Sequence, residues 1–263
     1  MKANNYVIPL VAISVYLIFL YFGPKIMAKI KPLQLDNQLC AWNLLLAVFS
    51  TYGAIRTVPH MYYRLTFHTF EQTVCQPAVV SYGGGACGLA SQLFILSKLP
   101  ELIDTVFIVL RKKPLIFLHW YHHVTVLLYS WNAYVTESGA GLYFISMNYS
   151  VHTVMYCYYF LVAAKRVPNW VKQRVSWITV FQISQMVVGT GVVGASLVYH
   201  FFGGREYAPG QCNNEPSNLF AGFLVYGSYL CLFVDFFVRK YRKSGGRKNE
   251  QDDRKDVNKK KES

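Results

Sequence analysis

The sequence predicts an all-α membrane protein with seven transmembrane helices. First, 53% of its 263 residues are hydrophobic, 16% are aromatic and only 15% are charged, a balance typical of chains that cross the bilayer repeatedly. Second, the apolar residues fall into windows long enough to span roughly 30 Å of hydrocarbon as helices. Third, lysine and arginine cluster in alternate loops between these windows.

The predicted helices are apolar segments separated by polar turns. Their windows are 6–23, 39–58, 89–110, 115–133, 140–163, 175–199 and 219–238. The first window could instead be a signal peptide, but Gly-Pro-Lys follows it rather than a small-x-small cleavage site, so we predict a retained helix. We assign residues 1–243 to one seven-helix membrane domain. Residues 244–263 are polar and contain no aromatic residue, and we expect a disordered basic tail there.

Loop charge predicts how these helices are oriented. Lysine and arginine near the ends of a span are retained in the cytosol. The basic loops include the turn 111–113 and the segment 165–174, whereas the loop 134–139 carries only Glu137. We therefore predict a lumenal N-terminus and a cytosolic C-terminus. The formal charge of +13 concentrates on the cytosolic face, where it suits either anionic lipid head groups or a phosphate-bearing substrate.

Two of the six cysteines fall in loops that this orientation assigns to the oxidising lumenal side. These are Cys75 and Cys212, and the other four lie in or beside apolar windows. We expect a Cys75–Cys212 disulfide, with two free thiols as the alternative. The chain has no C-x-x-C pair, so a structural zinc site is not expected.

Polar residues interrupt four of the apolar windows at helical spacing. We call these the polar sets: Lys98, Glu101 and Asp104; His119, His122 and His123; Asn148, His152 and Tyr159; Thr179, Gln182 and Gln185. The members of each set lie on one face of a helix. A single set of this kind commonly serves interhelical hydrogen bonding. Four sets on four helices are expected to face inward and to line one hydrated cavity, because ionisable groups are costly in hydrocarbon.

The histidines permit either metal ligation or metal-free nucleophilic and acid–base chemistry. Membrane di-iron oxygenases use several histidine boxes, but this chain has only seven histidines. Three of them, at 60, 68 and 200, are assigned to the lumenal side. The remaining four, which can converge, have no E-x-x-H partner of the di-iron type. We expect no metal.

The polar sets resemble the signature motifs of the very-long-chain fatty acid elongase (ELO) family of membrane 3-ketoacyl-CoA synthases. The matching segments are K-L-P-E-L-I-D-T from Lys98, H-W-Y-H-H from His119, H-T-V-M-Y-C-Y-Y from His152 and T-V-F-Q-I-S-Q from Thr179. They occur in this order over residues 98–185. The segment L-H-W-Y-H-H is most similar to the corresponding segment in the branch of the family that extends saturated and monounsaturated chains.

The resemblance implies a reaction. A long-chain acyl-CoA condenses with malonyl-CoA, releasing CO2 and CoA, to give a 3-ketoacyl-CoA longer by two carbons, with no further cofactor. Helices 2 to 7 would form a barrel around a narrow acyl tunnel whose closed end sets chain length. The implied partners are the ketoacyl-CoA reductase, dehydratase and enoyl reductase of the elongation cycle and membrane lipid. The resemblance is compatible with a homodimer and implies no nucleic-acid partner.

The resemblance also implies roles for individual histidines and carboxylates. His122 is the nucleophile that forms a transient acyl-imidazole, because a neutral imidazole is a competent acyl acceptor. The other imidazoles position, polarise or orient the substrates; they are His152, His123 and His119. Glu101 and Asp104 set the imidazole tautomers in this scheme, although Lys98 and Glu101 could instead pair with each other at i, i+3.

Contacts to CoA and its pantetheine arm are implied for a wider set of residues. Arginine and lysine suit the phosphates, whereas tyrosine, threonine and glutamine suit the amides. The set comprises Lys98, Arg111, Lys113, Tyr158, Thr179, Gln182 and Arg239. Asn148 and Gln185 support the histidines.

The C-terminal residues predict a location. Lys260-Lys261-Glu262-Ser263 resemble a dilysine retrieval signal for the endoplasmic reticulum. Two other classes of protein stay open on the sequence alone. A seven-helix receptor or channel predicts a ligand site open to the lumen, and a di-iron desaturase or hydroxylase predicts bound iron.

Overall fold

A computed structural model of the protein describes the backbone of residues 6–259 and the side chains of residues 6–239. The described backbone is helical and contains no β-strand. Its helices are α1 (Val7–Ala28), α2 (Asp36–Phe67), α3 (Phe70–Cys75), α4 (Ala78–Ser81), α5 (Gly85–Ser97), α6 (Ile103–Leu110), α7 (Phe117–Val135), α8 (Gly141–Ala163), α9 (Asn169–Gln173), α10 (Ser176–Phe202) and α11 (Pro216–Lys259).

The helices agree with a protein that crosses a membrane several times. Among the described residues, four helices are long and apolar enough to cross a bilayer by length and composition: α1, α2, α10 and α11 as far as Arg239. The histidine-bearing α7 and the polar-set helix α8 do not meet that criterion, because their inward-facing polar residues lower the hydropathy. A count of seven spans and a barrel arrangement remain predictions.

The predicted third window, 89–110, is wrong as a single helix. α5 ends at Ser97, a 3-10 turn covers Pro100–Leu102, and α6 begins at Ile103. Proline has no backbone N–H, so an uninterrupted α-helical hydrogen-bond pattern cannot run through position 100. The prediction failed because the window is almost continuously apolar and the proline was read as part of it.

This interruption also corrects the first polar set. Lys98, Glu101 and Asp104 were expected on one stripe of a helix, but they flank and occupy the turn instead. The ammonium of Lys98 still reaches the carboxylate of Glu101 at 2.8 Å. Asp104 points elsewhere, toward α2 and α8.

Close packing of α2, α5 and α8 depends on one tyrosine. The ring of Tyr149 on α8 lies against Gly53 on α2. A Cβ added at Gly53 would lie 2.2 Å from the Cζ atom of Tyr149. The hydroxyl of Tyr149 donates to the carbonyl oxygen of Ala90 on α5 at 2.9 Å. The rings of Phe49 and Phe94 contact the same tyrosine edge to face. These contacts hold three helices together beside the cavity described below.

One end of the bundle, which we call the disulfide end, is joined by Cys75–Cys212. The S–S distance is 2.08 Å, and these are the two cysteines that the loop assignment singled out. Beside them, the backbone N–H of Asn213 donates to the carbonyl oxygen of Cys75 at 2.9 Å. The amide of Asn214 donates to the carbonyl oxygen of Val74 at 2.8 Å. The disulfide and these two hydrogen bonds therefore connect the end of α3 to the loop before α11.

The opposite end, which we call the basic end, contains the turn 111–113 and the loop after α8. The backbone N–H of Leu33 donates to the carbonyl oxygen of Leu110 at 3.0 Å. The ammonium of Lys112 lies 3.4 Å from the carbonyl oxygen of Ala28. The segment between α1 and α2 is thus tied to the turn after α6.

α11 continues along the described backbone to Lys259. The expected boundary between a membrane domain and a tail at residue 244 stays a prediction. The dilysine-like residues Lys260 and Lys261 lie outside the described residues.

A buried carboxylate organises the loop after α10. Glu71 accepts hydrogen bonds from the backbone N–H groups of Arg205 at 2.9 Å and Tyr207 at 3.0 Å, with Glu206 at 3.3 Å. An added Cβ at Gly204 would lie 2.1 Å from the carboxylate oxygen Oε1, so only glycine permits this approach. Glu71 therefore replaces the hydrogen bonds that the loop would otherwise make with water.

We expect Glu71→Gln to lower the free energy of unfolding by about 3 kcal/mol, because an amide loses one acceptor oxygen and turns N–H groups toward the loop donors. Thermal unfolding of the protein in detergent measures the effect. Glu206→Gln, the same change at an exposed position, is the control and should leave the melting temperature unchanged. Equal stability of the two variants would contradict a structural role for Glu71.

Candidate active site

Residues from all four polar sets line one cavity of about 210 Å³, which we call the histidine cavity. α7 and α8 supply the four histidines that were expected to converge: His119, His122, His123 and His152. The cavity is also lined by Glu101, Asp104, Asn148, Gln182 and Gln185. Among the described residues, no group of three or more His, Cys, Asp or Glu side chains is arranged to hold a metal ion.

The three imidazoles of α7 lie side by side because their spacing repeats one helical turn. The ring of His123 lies 4.5 Å from that of His119 and 5.5 Å from that of His122, centroid to centroid. Nε2 of His119 lies 2.9 Å from the hydroxyl of Thr105. That hydroxyl is in turn 2.8 Å from the hydroxyl of Tyr16 on α1. His119 is thus oriented by residues of α6 and α1.

His152 is oriented by an amide and a lysine. The ammonium of Lys98 lies 3.3 Å from Oδ1 of Asn148, and Nδ2 of the same amide lies 3.2 Å from Nε2 of His152. An ammonium can only donate, so the amide oxygen must face Lys98 and the NH2 group must face the imidazole. Nε2 of His152 then accepts this hydrogen bond, and the ring proton resides on Nδ1.

The ion pair behind Asn148 is almost completely buried. Lys98 is 2% exposed and Glu101 is 3% exposed, and the ammonium lies 2.8 and 3.0 Å from the two carboxylate oxygens. The hydroxyl of Ser97 donates to Glu101 at 2.8 Å. Lys98 therefore lies behind the cavity wall, and its ammonium group donates its hydrogen bonds to Glu101 and Asn148. Its expected contact with CoA stays a prediction that this geometry does not favour.

Asp104 is held by an indole and a phenol. Nε1 of Trp42 donates to one carboxylate oxygen at 2.6 Å, and the hydroxyl of Tyr156 donates to the other at 2.8 Å. Among the described side chains, neither Asp104 nor Glu101 forms a hydrogen bond with a histidine. The tautomer-setting role expected of these carboxylates is therefore indirect for Glu101, through Lys98 and Asn148.

His122 differs from His119 and His152, whose imidazoles are hydrogen-bonded, and from His123, which is more deeply buried. The half-buried imidazole of His122 has no hydrogen-bond partner among the described residues and packs on the ring of Tyr229 at 5.1 Å. The hydroxyl of Tyr229 is occupied by Thr125 and by the backbone carbonyl oxygen of His122 at 3.2 Å. The ring of His122 is therefore oriented by packing, and its nitrogens are available to a molecule in the histidine cavity.

A second cavity of about 380 Å³, which we call the basic mouth, lies at the basic end. It is lined by Arg111, Lys113, Lys165 and Asp36. It shares four lining residues with the histidine cavity: Asp104, His119, Tyr156 and Tyr159. A ligand that enters between these basic side chains is therefore adjacent to the histidines.

A third cavity of about 460 Å³, which we call the apolar cavity, lies toward the disulfide end between α5, α7 and α8. Asn148 lines both this cavity and the histidine cavity. At the disulfide end it is lined by Tyr82, whose hydroxyl donates to the carbonyl oxygen of Ser138 at 2.7 Å, and by Gly141. A Cβ at Gly141 would lie 2.1 Å from this hydroxyl, so tyrosine and glycine are matched in size.

Besides Lys98, three residues that the sequence associated with CoA line neither the histidine cavity nor the basic mouth. The ring of Tyr158 packs near that of Tyr159 at 5.9 Å. Thr179 is buried on α10. The guanidinium of Arg239 pairs with Asp235 at 2.7 Å on the exposed side of α11. Gln182, by contrast, reaches the histidine cavity, where its amide lies 3.4 Å from the sulfur of Met155.

Sequence reasoning missed the residues that hold the polar groups in place. Tyr16, Trp42 and Tyr229 lie on α1, α2 and α11, outside all four polar sets. Each is an aromatic residue in an apolar window, where its polar tip gives no periodic signal. Only the position of a buried acceptor or imidazole identifies them.

Comparisons with a family profile and with individual proteins all indicate the same family. Residues 1–249 match the sequence profile of the ELO family, described as the GNS1/SUR4 family. "Very long chain fatty acid elongase 6" of Homo sapiens is 43% identical over 229 residues, which cover 87% of this chain and 82% of the human protein. The Drosophila melanogaster protein of the same name is 40% identical over 237 residues, covering 90% and 72%. "Fatty acid elongase 3" of Trypanosoma brucei brucei is 41% identical over 257 residues, covering 89% and 83%.

The geometry of Lys98 predicts a structural penalty that needs no ligand. We expect Lys98→Met to destabilise the protein by about 3 kcal/mol, because it leaves the carboxylate of Glu101 buried and unpaired. The double variant Lys98→Met/Glu101→Leu should recover much of this loss, since it removes both charges. Thermal unfolding in detergent without substrate measures both.

Lys172→Met, at an exposed lysine of α9, is the matched control and should be neutral. If the Lys98→Met variant is as stable as the native protein but binds CoA more weakly, Lys98 contacts CoA and the structural role is contradicted.

Proposed function

The chain belongs to the ELO family and is a fatty acid elongation enzyme, and from that premise we propose that it is a very-long-chain 3-oxoacyl-CoA synthase. It condenses a long-chain acyl-CoA with malonyl-CoA, releasing CO2 and CoA, and forms a 3-ketoacyl-CoA two carbons longer. The observation that carries the proposal is the position of His122. Its imidazole, without a hydrogen-bond partner among the described residues, lines the histidine cavity, which shares lining residues with the basic mouth and with the apolar cavity. A thioester with a charged head and an apolar tail requires such an arrangement.

In the first step, the unprotonated ring nitrogen of His122 attacks the carbonyl carbon of the acyl-CoA thioester. A carbon–nitrogen bond forms, the carbon–sulfur bond breaks, and CoA leaves as a thiolate that solvent protonates. The acylated imidazole keeps its own N–H proton and is a good leaving group. None of the four described free cysteines lines the histidine cavity, so this route uses a nitrogen rather than a sulfur nucleophile.

In the second step, malonyl-CoA loses CO2 and its C2 becomes an enolate carbon. This carbon attacks the acyl group, and the bond to His122 breaks with release of the neutral imidazole. The enolate oxygen requires a hydrogen-bond donor while it carries charge. The Nδ1–H of His152 is our candidate for that donor, because its Nε2 is occupied by Asn148.

The surroundings of His122 suit the two ends of an acyl-CoA. Arg111 and Lys113 provide charge for the phosphates at the basic mouth, and Gln182 provides an amide beside the histidines. The apolar cavity takes the fatty tail, so we propose that its far end limits chain length. Saturated and monounsaturated chains are the proposed substrates; the similar human and Drosophila proteins are named very long chain fatty acid elongases.

We further propose that the enzyme resides in the endoplasmic reticulum membrane, with the basic end cytosolic and the disulfide end lumenal. This orientation puts the basic mouth where CoA thioesters occur and the Cys75–Cys212 bond in an oxidising space. The products would pass to the ketoacyl-CoA reductase, dehydratase and enoyl reductase that complete each elongation cycle.

The condensation is tested by mass spectrometry of products from purified protein given malonyl-CoA and acyl-CoAs of graded length. We expect a 3-ketoacyl-CoA two carbons longer, and at least about a thousandfold less of it from His122→Ala, which removes the nucleophile. Acyl-CoA without malonyl-CoA should add one acyl mass to the native protein and none to that variant.

His68→Ala is the matched control, because His68 lies at the disulfide end and contacts Gln72 at 3.3 Å. It should retain normal turnover. Absence of the longer product from folded protein would refute the synthase, and iron measured in the same sample would then favour the desaturase or hydroxylase alternative over a receptor or channel.

Chain length is tested at Tyr82. We expect Tyr82→Ala to shift the products toward longer chains, because it removes the ring that lies at the far end of the apolar cavity. Tyr82→Phe, the control, keeps the ring and loses only the hydrogen bond to Ser138, so its product lengths should match those of the native enzyme. An unchanged product ladder in the alanine variant would place the end of the acyl site elsewhere.

A further inference from the structure

One carboxylate at the basic mouth is shared by two cations. Nη2 of Arg111 lies 2.7 Å from Oδ1 of Asp36, and Nζ of Lys165 lies 3.4 Å from Oδ2 of the same residue. The three side chains come from the turn after α6, the first residue of α2 and the loop after α8. All three line the basic mouth. Asp36 thus occupies the position between two cations where an incoming anion would bind.

We propose that Asp36 is an internal competitor of the substrate's phosphate groups, and that Lys165 is a further residue that binds those phosphates. The inference rests on the proposed function, because it takes CoA as the ligand of the mouth. In the unliganded enzyme Asp36 bridges Arg111 and Lys165. When CoA binds, its phosphates replace the carboxylate on both cations.

Solvent exposure makes this replacement feasible. The side chain of Lys165 is 82% exposed, and those of Arg111 and Asp36 are 25% and 44% exposed. Ion pairs this exposed contribute little to stability, because water screens the charges and the long side chains lose entropy. A phosphate offers more acceptor oxygens and more charge than one carboxylate, and it can accept a bidentate pair of hydrogen bonds from the guanidinium.

The backbone at Lys165, like that at Lys112 and Glu137, is left-handed, and it is compatible with this role. Its φ of 58° lies in the left-handed region, where glycine is the favoured residue after a helix end. The turn is closed by the N–H of Arg166, which donates to the carbonyl oxygen of Leu161 at 2.9 Å. A lysine at this position bears a conformational cost that glycine would not bear. Its ammonium, directed at Asp36 across the mouth, supplies a function for the side chain that glycine lacks.

Competition of this kind would set specificity as well as affinity. The mouth carries three cations, on Arg111, Lys113 and Lys165, against two carboxylates. Of these, Asp104 is held by Trp42 and Tyr156, so Asp36 is the one that pairs with the cations. A weak anion gains little by displacing that carboxylate, whereas a ligand with several phosphate groups gains on each cation. Selectivity that relies on a built-in competitor is a common way to reject poor ligands.

The experiment measures the Kd of CoA itself by calorimetry on purified protein at low salt, so it does not depend on turnover. We expect Asp36→Asn, which keeps the shape and removes the charge, to tighten CoA binding about fivefold. Lys165→Gln should weaken it by about the same factor. The gain from Asp36→Asn should disappear in the Asp36→Asn/Arg111→Gln double variant, and it should shrink at high salt because mobile ions screen exposed charges.

Glu206→Gln removes an equal charge from an exposed site at the disulfide end and should not change the Kd. Inorganic phosphate at matched concentration should not reproduce the heat of CoA binding. Weaker binding in Asp36→Asn would overturn the inference by making Asp36 a support for Arg111, and so would an unchanged Kd or the absence of CoA binding. Failure of the condensation assay with normal CoA binding would instead remove the proposed function.

Discussion

The buried ion pair between Lys98 and Glu101 is the constraint on which the polar interior depends. Two charges removed from water in a membrane protein must be paired and hydrogen-bonded, because either alone would be strongly destabilising. The i, i+3 spacing of the two residues, which spans the 3-10 turn at Pro100, brings both side chains to the same place. The pair leaves one ammonium donor for Asn148, whose NH2 group then faces His152. An ion pair beside α5 thereby sets the tautomer of a histidine on α8.

The other polar groups are distributed by the same logic. Asp104 is satisfied by Trp42 and Tyr156, and His119 by Thr105. These hydrogen bonds fix the walls of the histidine cavity without using the ring nitrogens of His122. His122 and His123 have no imidazole hydrogen-bond partner among the described residues, and His122 is the less buried of the two. Such an imidazole is costly unless a ligand or water engages it, and this is why the proposed mechanism assigns the reaction to His122.

The sequence predicted the residues of the cavity better than their partners. Imidazoles in an apolar window at helical spacing have few explanations other than an inward-facing site, so His119 to His123 could be assigned from spacing. The break at Pro100 was missed, because the apolar run hid it. Trp42 and Asp36 could not be found, since the first resembles a packing residue and the second a solvent-exposed loop charge. Their roles depend on distances between helices, which no local pattern encodes.

The order of the three cavities constrains the proposed chemistry. An acyl-imidazole is vulnerable to hydrolysis, so water must be kept from His122 until malonyl-CoA has reacted. The apolar cavity on one side excludes water once a fatty tail fills it. The basic mouth on the other side is lined in part by charged side chains, which retain water until a ligand occupies the mouth. In the proposed mechanism, the departing or incoming CoA would therefore exclude water at the mouth. Its phosphate contacts there would protect the intermediate as well as bind the substrate.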